Sequence, residues 1–298
     1  MGRKGKFMNS IKQTLIELNL IDPIDLELFS SKTRDLNNIN VMRDKTSGVI
    51  FVDHLVPDDS VYERGEYRKQ GEVLFGSRDY EIVSDVSRRI KDYEQYFVGK
   101  KVLDFGCGEG TFLKEIKASA TEVFGCEIEK ISVNHLNEMG INCLTDIKDF
   151  ESESVDTIFC FHTLEHLKKP LEALKEFRRI LVPKGHLVIE VPHANDFLLR
   201  YLKSEAFKNF TLWSQHLILH SRVSLKKFLS VSGFDNFVIQ GKQRYPLSNH
   251  FYWLIQGKPG GHKSILSSLD TDDLLRAYEG SLQMIDATDT LIAVATKN

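Results

Sequence analysis

Between residues 99 and 240, short apolar runs alternate with segments whose apolar positions recur at helical spacing. The runs Lys101–Asp104, Glu122–Glu127, Asn142–Leu144, Val155–Phe161 and His186–Val191 read as buried strands. Thr111–Ala118, Glu129–Met139, Pro170–Leu181 and Ser224–Val231 read as the helices between and after them. Strands alternating with helices predict an α/β fold, a Rossmann-like, doubly wound, mostly parallel sheet. Phe234–Gln240 follows a stop at Gly233, and Asp289–Thr296 reads as a closing strand. Upstream, Ser10–Leu20 and Tyr80–Phe97 are helical in period. Val41-Met42-Arg43 and Gly48–Val52 flank the polar turn Asp44–Ser47 as a β-hairpin.

The pattern divides the chain into an N-terminal helical and hairpin extension (1–98), a core (99–240), an insertion (241–288) and a closing core strand (289–298). A connection as long as Gly241–Thr288 inside a compact domain carries its own structure or a function. It holds Arg244-Tyr245-Pro246, His250-Phe251-Tyr252-Trp253 and a helical stretch, Asp272–Met284. It is expected to cover the substrate side.

The most informative stretch is Val102-Leu103-Asp104-Phe105-Gly106-Cys107-Gly108-Glu109-Gly110. An apolar run stops at an acid, and glycines then alternate into an amphipathic segment. That is a buried strand, a tight turn and a helix start. Glycine permits φ > 0 and lets a ligand approach where a Cβ would collide. A dinucleotide fingerprint reads G-x-G-x-x-G, whereas the order here is G-x-G-x-G. The second strand ends at Glu127, where an acid holds a ribose hydroxyl pair in nucleotide-binding sheets.

On these residues the chain resembles the class I S-adenosylmethionine-dependent methyltransferases, over about residues 99 to 240 and the last strand. The resemblance implies S-adenosyl-L-methionine as cofactor and a seven-stranded sheet with an antiparallel edge strand. It implies a cofactor set of Asp104, Gly106, Cys107 and Gly108 in the turn, Glu127 and Ile128 at the second strand, Asp146 and Ile147 around the adenine, and Phe161 after the fourth strand. Tyr67, with Tyr62, is expected to close over the methionine end, with simple packing as the alternative. Asp146 also reads as a simple turn cap.

His162-Thr163-Leu164-Glu165-His166 has the spacing of an inverted zinc-peptidase motif, but Pro170 follows at once and no long helix is available. A similar cluster in the small-RNA 2′-O-methyltransferases binds a divalent metal with a later histidine, here His216 or His220. The reading adopted is a loop anchor over the cofactor, with no metal. His193 lies just past the fifth strand and is the leading base candidate, with His216 and His250 as rivals. Arg88-Arg89 reads as a solvated helix face, with an anion site as the alternative.

Composition narrows the picture further. The 298 residues carry a net charge of −3 with both signs mixed, which argues against a nucleic-acid partner. No apolar run approaches the roughly 20 residues that span a bilayer. The basic Met1–Lys6 is not followed by a signal-like apolar region. Four scattered cysteines read as reduced core thiols of a cytoplasmic protein. A small-molecule or carbohydrate substrate is expected, and a homo-oligomer is left open. Val191–Asp196, Gln243–His250 and Gly257–His262 look like methyltransferases of bacterial surface-polysaccharide biosynthesis. The hairpin looks like a sugar-methyltransferase zinc ribbon without its cysteines. The acceptor is therefore expected to be a sugar, nucleotide-sugar or glycan-linked hydroxyl. C-methylation of a nucleotide sugar, a small phosphate-bearing or quinone-like acceptor, and non-catalytic cofactor binding are the alternatives.

Overall fold

A computed structural model of the chain describes residues 11–53 and 79–298. The predicted parallel sheet is its centre. Strands β4 (Lys101–Phe105), β5 (Glu122–Cys126), β6 (Asn142–Leu144), β7 (Val155–Phe161) and β8 (Leu181–Pro192) run parallel. β10 (Asn236–Lys242) and β11 (Thr290–Thr296) complete a seven-stranded sheet of order β10-β11-β8-β7-β4-β5-β6. β11 is antiparallel to both neighbours and closes the sheet edge with β10.

The sheet forms because its strands are apolar on both faces. Ile158, Phe159 and Cys160 are fully buried, as are Leu187, Val188 and Ile189. Helices cover both faces, as near-continuous apolar strands require. In the helix Pro170–Ile180, proline sits in the first turn, where its missing N–H costs nothing. Leu174, Phe177 and Ile180 then form one stripe against the sheet. The long helix Asp79–Phe97 packs Val86, Tyr93 and Phe97 on the other face, against Phe112, Phe159 and Phe161.

A second, antiparallel sheet has the order β1 (Leu26–Lys32), β2 (Asn37–Asp44), β3 (Ile50–Val52) and β9 (Ile218–Leu219). The hairpin read from the sequence is its β2–β3 pair, with Val41 opposite Val52. β1 and β9 were not expected. β1 has no clean alternation of buried and exposed positions, and β9 is two residues long. This sheet ties residues 214–219 to the N-terminal region: Val52 N–H donates to Leu217 O at 3.1 Å, and Ser214 N–H donates to Asp35 at 3.0 Å.

The insertion leaves β10 and re-enters β11 at the end of the sheet where the parallel strands finish, with Thr290 opposite both Lys242 and Pro192. It contains the helix Leu247–Gln256, missed by the sequence reading, and the expected helix Asp272–Met284. Trp253 packs edge-on to Phe207 and against Phe210 of the helix Glu205–Thr211. No helix among the described residues is long and apolar enough to cross a membrane.

Candidate active site

β4 ends at Phe105, and the chain turns through Gly106, Gly108 and Gly110 with φ of +75°, +57° and +70°. Only glycine adopts three such conformations at no steric cost. A Cβ at Gly106 would lie 2.3 Å from Thr163 Oγ1, and one at Gly110 would lie 2.4 Å from Leu136 Cδ2. The close approach expected of a ligand is at these two positions made by the chain's own side chains. The Cys107 side chain faces Cys143, Sγ to Sγ 4.0 Å.

Glu127 is buried at the end of β5 and braces the turn. Its Oε2 accepts from Gly108 N at 2.8 Å and its Oε1 from Glu129 N at 3.0 Å. Asp104, at the end of neighbouring β4, is 4% exposed. Burial pushes its carboxyl up to about 7; Arg89 opposes this, while Glu127 and Glu190 add to it. Two carboxyls at adjacent strand ends offer acceptors and repel phosphate. They suit ligand groups that donate: a pair of hydroxyls and an ammonium. This donor–acceptor match fits a nucleoside bearing an amino acid better than a pyrophosphate.

Asp146 is exposed and caps the 3₁₀ turn Ile147–Asp149, accepting from Lys148 N at 3.0 Å. Ile147 is buried beneath it and Ile128 is 38% exposed. The Phe161 ring lies in the core, stacked on Tyr93 and Phe159 with the Arg89 guanidinium 4.0 Å above it. Its carbonyl, which accepts from Thr163 Oγ1 at 3.0 Å, is its contribution to the loop. Tyr62 and Tyr67 lie outside the described residues.

Arg88 and Arg89 are not a solvated face. Both point inward to Glu190, a fully buried acid in the middle of the sheet. Arg88 grips it bidentately at 2.8 and 2.9 Å, Arg89 donates at 2.9 and 3.0 Å, and the Tyr93 hydroxyl donates at 2.7 Å. Burial opposes the charge on Glu190, but the two guanidiniums outweigh it and hold the carboxyl well below its usual range. Asp85 extends the network from Arg88 to Arg244 of the insertion. No sequence spacing announces Glu190, because it sits among apolar residues of a central strand.

The loop after β7 begins with His162 in a left-handed conformation, φ +48°. Its Nδ1 lies 3.6 Å from Glu165 Oε1 and its Nε2 lies 3.9 Å from Glu190 Oε2. Burial pushes the Glu165 carboxyl up to about 8 and the His166 imidazole down to about 4. It lowers His162 and His216 in the same way. The His216 ring stands 4.8 Å from the His166 ring and 5.4 Å from Trp213.

The other base candidates are scattered. His193 is 1% exposed; its Nδ1 donates to Thr288 O at 3.0 Å and its Nε2 lies 3.7 Å from Asp286. Burial lowers it to about 4, so the ring is neutral and Nε2 carries the lone pair. His250 belongs to the insertion, stacked on Phe197 with Nδ1 2.5 Å from the Tyr278 hydroxyl. The structure thus joins His216 to the loop after β7 and keeps His193 and His250 with the insertion and its flanking residues.

A family model described as a methyltransferase domain matches residues 77–237. An uncharacterized protein of Methanocaldococcus jannaschii is 29% identical over 176 residues, 58% of this chain and 71% of that protein. A ubiquinone biosynthesis O-methyltransferase of Alkalilimnicola ehrlichii is 25% identical over 107 residues, 33% of this chain. The chain spans only 43% of that enzyme's length. A solved structure of a SAM-dependent methyltransferase from Archaeoglobus fulgidus superposes with a TM-score of 0.51 at 22% identity, covering 78% of this chain and 99% of that one.

Proposed function

The chain belongs to the methyltransferase domain family, and on that premise we propose that it transfers the methyl group of S-adenosylmethionine to an acceptor hydroxyl. One observation carries the cofactor reading: Glu127 holds the glycine turn by a backbone bond and stands beside Asp104 as a second buried acid. In this reading Glu127 accepts from the ribose hydroxyls, Asp104 faces the amino end of the methionine, and Asp146 and Ile147 flank the adenine. Residues 99–240 and 289–298 act as the cofactor core and residues 241–288 as the cover of the acceptor.

The cofactor supplies an electrophilic methyl group, so the protein's work is to align the acceptor and exclude water. A hydroxyl acceptor must also lose its proton. A neutral imidazole suits that role, and His193 presents an Nε2 without a hydrogen-bond partner at the end of β8. The relative named as an O-methyltransferase supports oxygen as the accepting atom. The narrower reading is a sugar, nucleotide-sugar or glycan-linked hydroxyl of surface-polysaccharide biosynthesis; it rests on the residue patterns in 191–196, 243–250 and 257–262.

Titration calorimetry with S-adenosylhomocysteine tests the core of this reading. Glu127→Ala should weaken binding by about 1–3 kcal/mol, the scale of a lost charge-assisted hydrogen bond. Equal affinity in the variant would remove Glu127 from the ribose role, and no binding by the wild type would overturn the reading altogether. Mass spectrometry of nucleotide sugars incubated with enzyme and cofactor, searched for one added methyl group, tests the acceptor class.

A further inference from the structure

We propose that Glu165, His166 and His216 form a binding site for one divalent first-row transition-metal ion. A ligand atom from each of the three lies within 4.8 Å of the other two. Bonds of about 2.0–2.2 Å place two ligands of one ion at most about 4.4 Å apart, so closure onto an ion needs only a small contraction.

Glu165 is the observation that demands a partner. It is 1% exposed, and neither carboxylate oxygen has a hydrogen-bond partner. The flanking imidazole nitrogens, His162 Nδ1 at 3.6 Å and His166 Nε2 at 4.0 Å, are beyond hydrogen-bond range of Oε1. A buried carboxylate left in this state is costly, and coordination to a cation removes the cost.

The two imidazoles are set up to ligate. His166 Nδ1 lies 2.8 Å from the Gln215 carbonyl. A carbonyl only accepts, so Nδ1 carries the hydrogen, and Nε2 lies 4.0 Å from Glu165 Oε1. Metal-bound histidines are commonly fixed by such a bond from the other ring nitrogen. His216 Nδ1 is buried and has no hydrogen-bond partner. Leu217 N–H donates to Glu165 O at 2.9 Å, so this backbone bond and the His166 side-chain bond to Gln215 O hold the strip 215–217 against 165–166. His162, beside Glu165 in its strained left-handed conformation, is a neighbour of the set.

Donor chemistry selects the ion. Magnesium and calcium prefer all-oxygen sets, and thiolates are absent from the cluster. Two imidazoles and a carboxylate suit zinc, cobalt, iron(II) or manganese. Three protein ligands leave coordination open for an oxygen of the acceptor; this last point rests on the methyl-transfer reading, the ion site itself does not.

The test uses the full chain, stripped with chelator and titrated with Zn²⁺ and, for its visible absorption, Co²⁺. One equivalent should bind, and His216→Ala and Glu165→Gln should each weaken binding by more than about tenfold. Circular dichroism and S-adenosylhomocysteine binding on the same samples report folding and the cofactor site. If Glu165→Gln fails to fold, His216→Ala decides alone. No binding by a folded wild type, or His216→Ala binding as tightly as wild type, overturns the site. Loss of cofactor binding with metal binding intact overturns the methyltransferase reading and leaves the ion site standing.

Discussion

Asp104 shows how one residue's surroundings convert into a measurable pH dependence. The folded chain holds its carboxyl at about 7, against 3.8 without those surroundings. A raised acid binds its proton more tightly when folded. Its contribution to stability is therefore fully present below 3.8 and is lost as the pH climbs through 7. A cation beside Asp104 favours the ionised form instead. Affinity for S-adenosylhomocysteine, whose ammonium this reading places there, should thus rise from about pH 6 to about pH 8. Arg89, Glu127 and Glu190 are the charges that act on this carboxyl, and all three remain in Asp104→Asn. The variant should show a flatter profile, and because the ligand's own titration persists in both proteins, the difference belongs to Asp104. Identical slopes by calorimetry would separate Asp104 from the ammonium. The sequence marked Asp104 through its place before the glycines. Arg89 and Glu190 could not be joined to it by spacing, because they come from a helix upstream and from a strand two positions away in the sheet.

At the scale of the element, the turn after β4 makes the clearest demand on sequence. Gly106→Ala meets both a left-handed backbone and Thr163. The conformation alone costs an alanine about 1–2 kcal/mol, and the side-chain overlap adds to it. Thermal melting should fall by about 4 °C or more. Adding Thr163→Ala should restore only part of the loss, since the backbone cost and the contact with the Thr163 Cβ position remain. A single variant that melts like wild type would show that the turn tolerates a Cβ. The parallel strands β4 to β8 and the helices Thr111–Ile116, Lys130–Glu138, Pro170–Ile180 and Arg222–Val231 were legible for a local reason. All but the three-residue β6 are long enough to repeat their period, and polar, glycine or proline positions separate them. β9 and the helix Leu247–Gln256 were not legible. The first is too short to have a period, and the second begins after Pro246 with no side-chain cap and buries Ser248, Asn249 and His250 beside Trp253.

The whole molecule is tied together by charges that no element contains alone. Arg244 of the insertion is paired with Asp85 of the helix Asp79–Phe97, and that helix is pinned to the sheet through Arg88, Arg89 and Glu190. Burial opposes ionisation of Asp85, but Arg244 foremost, with Arg89 and Arg88, holds its carboxyl well below 3.8. A depressed acid contributes stability that is present above 3.8 and is lost as the pH falls through its lower folded value. Arg244→Ala should therefore destabilise the chain at neutral pH by an amount of the order of 3 kcal/mol, the cost of breaking a largely buried pair. The gap to wild type should narrow as the pH drops below 3.8. If the insertion covers the acceptor, the same variant raises the acceptor KM and leaves S-adenosylhomocysteine affinity unchanged. A gap that does not change with pH would show that the ion pair is not what holds the insertion.

By itself the sequence determined the sheet, the glycine turn and the acids at the ends of β4 and β5, because these depend on neighbours a few residues apart. Period, turn chemistry and strand ends are local properties. The tertiary structure decided what lies across the fold. It turned Arg88 and Arg89 inward onto Glu190, brought the Gln215 carbonyl to His166 from 49 residues along the chain and with it seated His216 beside Glu165 and His166, and returned the insertion to the sheet end where the parallel strands finish. Those pairings arise when separate elements pack and bury polar groups together, and burial then compels each group to find a partner that no local pattern names.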